Sequence, residues 1–444
     1  MKIIIAGAGA VGCHVAKMLS HEQHDIVLLD MDEDKLQDIG SQCDIMTEVG
    51  SATSFADLLS CGVGSADLFI AVTSFESVNM TACMLAKNLG AKKTLARIDN
   101  YEYLQPKNKE FLNKLGIDSL IYPEMLAATE IVQILRRSWI REYRTFGDGA
   151  LVLVCVKVRN NSEIIDKEFK TGFFNHDRFR IVAVKRHTHT IIPGGDDQIL
   201  ANDLVYFICP KENLEVVRRA AGKSVFDIKN IMIMGGSRIA VKTLQYLPDD
   251  VNVKIIEKDR ERCYELTEKL DVLVIHGDGR NIDLLREEGI EDTDAFIAVT
   301  DDSETNVLAC LAAKRFGIKK SVADVENLDY IDLVDNVDIG TLINKKLIAA
   351  SHIYQLTLDD DALDVQCLTF SDAEVVEFVV QPGDRITRAK VRDLNLPENI
   401  NIGGVIRNGK GFVVNGNTLI QPNDHVVIFC MAAGVRKLAK YFNR

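Results

Sequence analysis

Residues 50–93 return as residues 277–320, with 17 of 44 positions identical and no gap. The matches include Ala71-Val72-Thr73 with Ala298-Val299-Thr300, Asn79 with Asn306, and Ala86-Lys87 with Ala313-Lys314. A repeat of this kind restricts the chain to two copies of one architecture. Both copies open on the same punctuation. Ile3-Ile4-Ile5-Ala6 is a short apolar run that reads as a buried strand, and Gly7-Ala8-Gly9-Ala10-Val11-Gly12 follows at once. Val11, Val15, Met18 and Leu19 then recur at helical spacing. A second apolar run, Ile26-Val27-Leu28-Leu29, ends in Asp30. In the second copy Ile231-Met232-Ile233-Met234 leads into Gly235-Gly236-Ser237-Arg238-Ile239-Ala240, and Val253-Lys254-Ile255-Ile256 ends in Glu257.

A G-x-G-x-x-G alone is weak evidence. Strand, glycine turn, helix, strand and acid together form the pattern that supports a dinucleotide. Gly7 permits the tight turn, Gly9 lets the backbone approach a pyrophosphate, and Gly12 lets the helix pack on the strand. The helix N-terminus offers free N–H groups and a positive dipole end to the phosphates. Asp30 can accept from a ribose diol and would repel a 2′-phosphate, so NAD is favoured over NADP. Thr73 and Arg97 stand at or near other strand ends, where ligands of doubly wound sheets bind. Arg97 reads either as a phosphate partner or as a surface ion pair. The expected cofactor contacts of the first copy are Gly7, Ala8, Gly9, Ala10, Val11, Gly12, Asp30, Ser51, Ala52, Thr73, Ser74 and Arg97. The second copy is the poorer cradle. Ser237 costs room at the pyrophosphate, Ala240 is tolerable as the packing residue, and Asp324 stands where Arg97 does. Glu257 can still bind a ribose. The candidates there are Gly235, Gly236, Ser237, Arg238, Ile239, Glu257, Asp278, Gly279 and Thr300, with occupancy left open.

Strands alternating with helices predict α/β lobes with doubly wound parallel sheets. In the first copy strands are expected over residues 44–50, 68–73, 93–98 and 119–121. Helices are expected over 54–61, 77–89 and 101–115, with a long one over 124–141. From residue 143 the texture changes to alternating strands, at 151–158, 180–185 and 203–208, closed by a short helix over 211–220. The second copy is followed by a similar tail, with strands at 375–380, 403–406 and 419–429. The expected domains are a Rossmann lobe over 1–142, a small α+β domain over 143–223, a second Rossmann lobe over 228–358 and a second small domain over 362–444.

A length of 444 residues fits three or four domains. An apolar content of 47% with 26% charged residues belongs to an ordinary globular chain, and no apolar run nears the ~20 residues of a membrane span. The first strand begins at Lys2, so no signal peptide is expected, and the expected location is the cytosol. Ten cysteines without a C-x-x-C pair read as reduced core thiols, Cys83, Cys310 and Cys430 among them. His187 and His189 share a strand face but lack further metal ligands, so they read as exposed histidines. A net charge of −13 argues against nucleic acid as a partner.

The set of motifs resembles the TrkA family, the peripheral NAD-binding subunits of Trk potassium-uptake systems, built from tandem RCK modules. Its carriers are Gly7 to Gly12 with Asp30, the Ala66-Asp67-Leu68-Phe69-Ile70-Ala71-Val72-Thr73 stretch, Ala96-Arg97-Ile98, its second copy at 294–300, and Ile420-Gln421-Pro422-Asn423-Asp424-His425. Asn344-Lys345-Lys346-Leu347 departs from the family, which often has a Ser-Pro pair there. The resemblance implies a cytosolic regulator that binds NAD(H) and also ATP or ADP. It implies a homo-oligomeric ring, expected as a tetramer, docked on a membrane potassium transporter at its cytosolic face. The apolar segments 124–141 and 345–358 are then expected to tie neighbouring lobes together, against the plainer reading that each packs on its own sheet. Two alternatives remain. An NAD-dependent dehydrogenase would need a proton-transfer group beside the nicotinamide, and neither small domain offers a convergent set. A free-standing nucleotide sensor would lack the membrane partner.

Overall fold

The structure is a computed structural model that describes residues 1–20, 24–174, 176–327, 330, 339–356, 362–368, 371, 373–397, 399–431 and 441–442. The first lobe runs β1 (Lys2–Ala6), α1 (Ala10–Ser20), β2 (Asp25–Asp30), α2 (Glu33–Gln42), β3 (Met46–Val49), α3 (Phe55–Ser60), β4 (Leu68–Ala71), α4 (Glu76–Leu89), β5 (Lys93–Arg97), α5 (Pro106–Lys114) and β6 (Ser119–Ile121). The strands pair in parallel in the order β3-β2-β1-β4-β5-β6. The order reverses between β1 and β4, which opens a crevice at their carboxyl ends. The central strands are continuous apolar runs because helices cover both faces of the sheet. Ile3, Ile4, Ile5, Phe69 and Ile70 are all fully buried. The helix expected over 101–115 is broken. A 3-10 turn at Tyr101–Leu104 precedes α5, because Pro106 lacks an N–H and holds Gln105 extended at ψ 137.

The segment expected as one helix over 124–141 is also shorter. Helix α6 covers Pro123–Leu135, and the chain turns before β7 (Glu142–Phe146). No periodic signal marks β7, since Glu142-Tyr143-Arg144-Thr145 does not alternate apolar with polar. Glu142, Tyr143 and Phe146 are buried nonetheless, because the charges at this strand are paired. Arg144 Nη1 donates to Glu130 Oε1 on α6 at 2.7 Å, and Nη2 lies 2.9 Å from Glu142 Oε1.

The first small domain completes β7 with β8 (Leu151–Lys157), β9 (Arg180–Arg186), β10 (His189–Ile191), β11 (Leu204–Pro210) and α7 (Leu214–Ala220). Tyr206 of β11 donates to Glu142 Oε2 at 3.2 Å. Its antiparallel sheet has the order β10-β9-β11-β8-β7.

The second lobe repeats the first. It comprises β12 (Asn230–Met234), α8 (Arg238–Tyr246), β13 (Asn252–Glu257), α9 (Arg260–Lys269), β14 (Leu273–His276), α10 (Ile282–Glu287), β15 (Ala295–Ala298), α11 (Ser303–Arg315), β16 (Lys320–Asp324) and β17 (Thr341–Ile343). The sheet order β14-β13-β12-β15-β16-β17 is the same, again all parallel. Helix α12 (Lys345–Gln355) follows it. The second small domain holds β18 (Ala362–Cys367), β19 (Ala373–Val379), β20 (Ile400–Arg407), β21 (Lys410–Val413) and β22 (His425–Met431), in the order β18-β19-β22-β20-β21.

Packing divides the chain into two compact units, Met1–Leu126 with Lys345–Asp359, and Ala127–Asn344 with Asp360–Arg444. Helix α12 therefore does not close the sheet that precedes it in sequence, as a lobe over 228–358 would require. It lies along α1 of the first lobe and buries Ala349, Ala350 and Ile353 there. Burial in this packing lowers the His14 imidazole to about 4, with Lys17 and Lys346 adding to the effect. Most of α6 falls in the other unit, where Arg136 Nη2 donates to Tyr246 O at the end of α8. The stretch expected to end at Leu358 runs past the described residues at its last two positions.

Within the second unit the two small domains face one another. The Arg180 guanidinium reaches Asn401 Oδ1 at 3.1–3.2 Å and Val414 O at 2.9 Å, and Gly147 N donates to Glu377 Oε2 at 3.2 Å. A Cβ on Gly411 would stand 2.4 Å from Ala150 O, so only glycine permits this approach. The two domains also share a clamp. Asn202 and Asn423 turn through φ 73° and 67°. The next residue in each case, Asp203 or Asp424, is buried and gripped at both oxygens by Arg186 or Arg407 over 2.7–3.0 Å. No helix of the described residues is long and apolar enough to cross a membrane.

Candidate functional site

The carboxyl edge of the first sheet is a connected chain of contacts. Gly50 N donates to Asp30 O at 2.9 Å, which sets Ser51 and Ala52 beside the end of β2. Ser51 N is itself held by Asp57 Oδ2 at 2.7 Å. Asp30 reaches across the glycine turn: Oδ2 accepts from Ala8 N at 2.5 Å and Oδ1 from Asp32 N at 2.9 Å. Each oxygen keeps a further lone pair for a ribose hydroxyl. Gly7 has φ +113°, and a Cβ there would lie 2.9 Å from Thr73 N. The turn therefore presses against the strand end that bears Thr73 and Ser74. A Cβ on Gly12 would stand 1.9 Å from Gly7 O, so α1 can begin this close to the turn only without a side chain. Above Gly9, by contrast, an added Cβ meets nothing within 4 Å. The turn is tight below and open above, as a pyrophosphate requires.

The far side of the crevice is held by Asn79. Its Oδ1 accepts from Thr73 N at 2.8 Å and Thr73 Oγ1 at 2.7 Å, and its Nδ2 donates to Thr73 O at 3.1 Å and Arg97 O at 3.0 Å. One buried amide thus fixes the ends of β4 and β5 together. Arg97 Nη2 lies 3.3 Å from Glu124 Oε1, while Arg97 Nε and Glu124 Oε2 are buried with no partner among the described residues. Arg97 is neither a free cation nor a surface ion pair, since its side chain is only 22% exposed. The carboxylate beside it weakens its attraction for a phosphate.

The second edge has the same frame. Gly236 N and Asp259 N donate to the two oxygens of Glu257 at 2.6 and 2.8 Å. Asn306 joins Thr300 to Asp324 O as Asn79 joins Thr73 to Arg97 O. The surroundings differ. Ser237 Oγ accepts from Ala240 N at 3.4 Å and caps α8. Arg262 Nε donates to Gly236 O at 2.9 Å, and a Cβ on Gly236 would meet Leu266 Cδ1 at 2.3 Å. Asp278 and Arg280 close on each other at 2.7 Å, and this pairing holds the Asp278 carboxyl down at about 2. Arg238 and Ile239 open α8, and Gly279 sits against Met234.

The glycine turns, the acids Asp30 and Glu257, and the strand-end residues Thr73, Arg97, Thr300 and Asp324 lie at the carboxyl ends of the two parallel sheets. Asn79, Glu124 and Asp57 were missed. Asn79 had a signal, since a buried polar residue recurs as Asn306 inside an otherwise drifting helix. Glu124 and Asp57 had none. Among the described residues, no cluster of His, Cys, Asp and Glu is arranged to hold a metal ion. Cys83 and Cys310 occupy equivalent buried places, donate to Leu95 O and Val322 O, and have thiols pushed up by burial.

Comparison with known proteins bears on both halves. The TrkA-N domain model matches residues 3–123 and 231–345, and the TrkA-C domain model matches 153–222 and 375–443. The Trk system potassium uptake protein TrkA of Halomonas elongata is 32% identical over 439 residues, covering 97% of this chain and 95% of that protein. The protein of the same name from Haemophilus influenzae is 32% identical, with 97% and 95% covered. TrkA homolog 1 of Methanosarcina mazei is 31% identical over the whole of both chains. Among solved structures, the GsuK RCK domain is similar at a TM-score of 0.60 and 16% identity, covering 100% of this chain and 95% of that one. The GsuK channel bound to NAD is similar at a TM-score of 0.60 and 16% identity, covering 100% and 79%. At that identity the likeness concerns the fold.

Proposed function

This chain belongs to the TrkA family, and from that premise we propose that it is the nucleotide-binding regulatory subunit of a Trk-type potassium-uptake system. The observation that carries the reading is the first glycine turn. It is open above Gly9, braced by Asp30 across Ala8, and continuous with Thr73 and Arg97 at the reversal of strand order. NAD(H) is the ligand assigned to this edge. Its adenosine ribose would lie on Asp30, its pyrophosphate on Gly7 to Gly12, and its second nucleoside towards Thr73, Ser74 and Arg97. ATP and ADP share the adenosine diphosphate half and compete for the same turn. The second edge, from Gly235 to Ile239 with Glu257, Asp278, Gly279 and Thr300, is the weaker site, because Ser237, Arg262 and Leu266 occupy the approach to its turn.

Regulation follows from linkage. A nucleotide shifts a conformational equilibrium only through unequal affinity for the two states. NADH, NAD and ATP differ in charge and length over one crevice, so each can favour a different lobe geometry. The assembly is a ring, taken as a tetramer. The duplication gives each chain two related lobes, and head-to-tail repetition of one lobe contact closes into a ring where the rotation permits. The ring acts from the cytosolic face of the transporter. The chain is read as a regulator and not an enzyme, since Glu124 is engaged by Arg97 and no other proton-transfer group is assigned to the distal rim.

Calorimetric titration of the purified chain with NADH, NAD, ADP and ATP tests the ligand. Binding of NADH that depends on Asp30 is expected, and a chain that binds none of the four contradicts the reading. Light scattering tests the ring, which a monomer at micromolar concentration with and without NADH would refute. Potassium uptake in cells lacking the chain tests the partner, and unchanged uptake would refute it.

A further inference from the structure

We propose that Phe75 makes the first lobe selective for a dinucleotide, by stacking against the nicotinamide ring of NAD(H). This rests on the reading that the first lobe holds NAD(H). Phe75 is the last residue before α4, just past the end of β4, and its side chain is 69% exposed. A lone exposed aromatic residue is ordinarily unremarkable. Its counterpart in the repeat removes that reading. Asp302 stands at the same point of the second lobe, and its backbone is held identically. Phe75 N donates to Thr73 Oγ1 and Asp302 N to Thr300 Oγ1, both at 3.3 Å, and each hydroxyl donates on to the buried asparagine at 2.7 Å. The side chains do opposite things. Asp302 accepts from Thr305 N at 2.5 Å and caps α11. Phe75 leaves α4 with no side-chain cap. The first lobe therefore gives up a stabilising cap and exposes a ring instead, on a backbone anchored through Thr73 to Asn79.

The place decides what the ring meets. A dinucleotide crosses the sheet where strand order reverses, so its second nucleoside lies beyond the carboxyl ends of β4 and β5. Phe75 follows β4 directly. Planar rings stack on a phenyl face in offset geometry, and such a pair adds to affinity without any charge requirement. ADP and ADP-ribose end before the nicotinamide and gain nothing from it.

The test is calorimetric titration of the full chain, Phe75→Ala and Phe75→Asp with NADH, ADP-ribose and ADP. In Phe75→Ala, NADH binding weakens about fivefold, the equivalent of about 1 kcal/mol of stacking, while ADP-ribose and ADP bind as before. In Phe75→Asp, NADH weakens at least as much and the thermal midpoint does not fall, because the aspartate gives α4 the kind of cap that Asp302 gives α11. Unchanged NADH affinity in Phe75→Ala overturns the proposal alone. So does an equal loss for ADP-ribose. A wild-type chain that binds none of the three ligands overturns the first-lobe site, and this proposal with it.

Discussion

Thr73 is fixed to Asn79, and Thr300 to Asn306, by the same pattern of four hydrogen bonds around each amide. Within a few residues of these pins the two lobes part company. Gly9 faces Ser237, Phe75 faces Asp302, and Arg97 faces Asp324 across the repeat. Lys93 is exposed, whereas its counterpart Lys320 is buried and donates to Ile140 O at 2.5 Å. The comparison separates two kinds of constraint. Residues that fix strand ends to one another have no alternative partner and are kept in both lobes. Residues around the rim answer to whatever lies outside it, and there the lobes have diverged.

The largest expected effect concerns the buried lysine. Burial pushes the Lys320 amine down to about 7, with Arg141 and Lys223 adding to it. A depressed folded-state value means that the unfolded chain binds the proton more tightly. Stability should therefore be complete only above about pH 10.5, and should fall as pH drops through that window towards 7. Lys320→Met should abolish this slope, a difference on the order of 5 kcal/mol between the ends of the window. Lys93→Met should change nothing. Urea unfolding across the pH series measures both. An identical slope in wild type and Lys320→Met would show that the amine is not desolvated.

Next come the pins. Asn79→Ala and Asn306→Ala each strand two N–H or hydroxyl donors and two carbonyls, and each should cost about 3 kcal/mol in unfolding free energy. Equal losses would support a shared scaffold. If NADH affinity falls in Asn79→Ala but not in Asn306→Ala, the two lobes also differ in use.

A smaller effect is expected at the third position of the glycine turn. Gly12→Ala should cost about 2 kcal/mol, because its Cβ would collide with Gly7 O. The reverse change, Ala240→Gly, should cost no more than about 1 kcal/mol through backbone entropy alone. Equal effects would mean that the two turns are sterically alike. The smallest effect is Asp302→Ala, which loses a helix cap and about 1 kcal/mol by thermal unfolding.

Much of this was legible in the sequence. The alternation of apolar runs and helical periods marked both parallel sheets, because buried strands must be apolar on both faces and leave a continuous signature. The glycine turns and their acids were legible because few other residues tolerate that geometry. Three things were not. Strand β7 is hidden because its polar partners are distant in sequence: Arg144 pairs with Glu130, 14 residues away, and Glu142 accepts from Tyr206, 64 residues away. The placing of α12 on α1 is a choice between two apolar surfaces, and periodicity within one helix carries no information about which it will meet. Glu124 looked like a helix start and not the partner of Arg97, since nothing local announces a pairing across 27 residues.

The central claim is that the first glycine turn, and not the second, carries the principal NAD(H) site. Titration of NADH into the wild-type chain, Asp30→Ala and Glu257→Ala tests it most directly. Asp30→Ala removes charge-assisted hydrogen bonds to the ribose and should weaken binding by about tenfold or more, while Glu257→Ala leaves the tight phase in place. Unchanged affinity in Asp30→Ala, or loss of the tight phase in Glu257→Ala, would contradict the account.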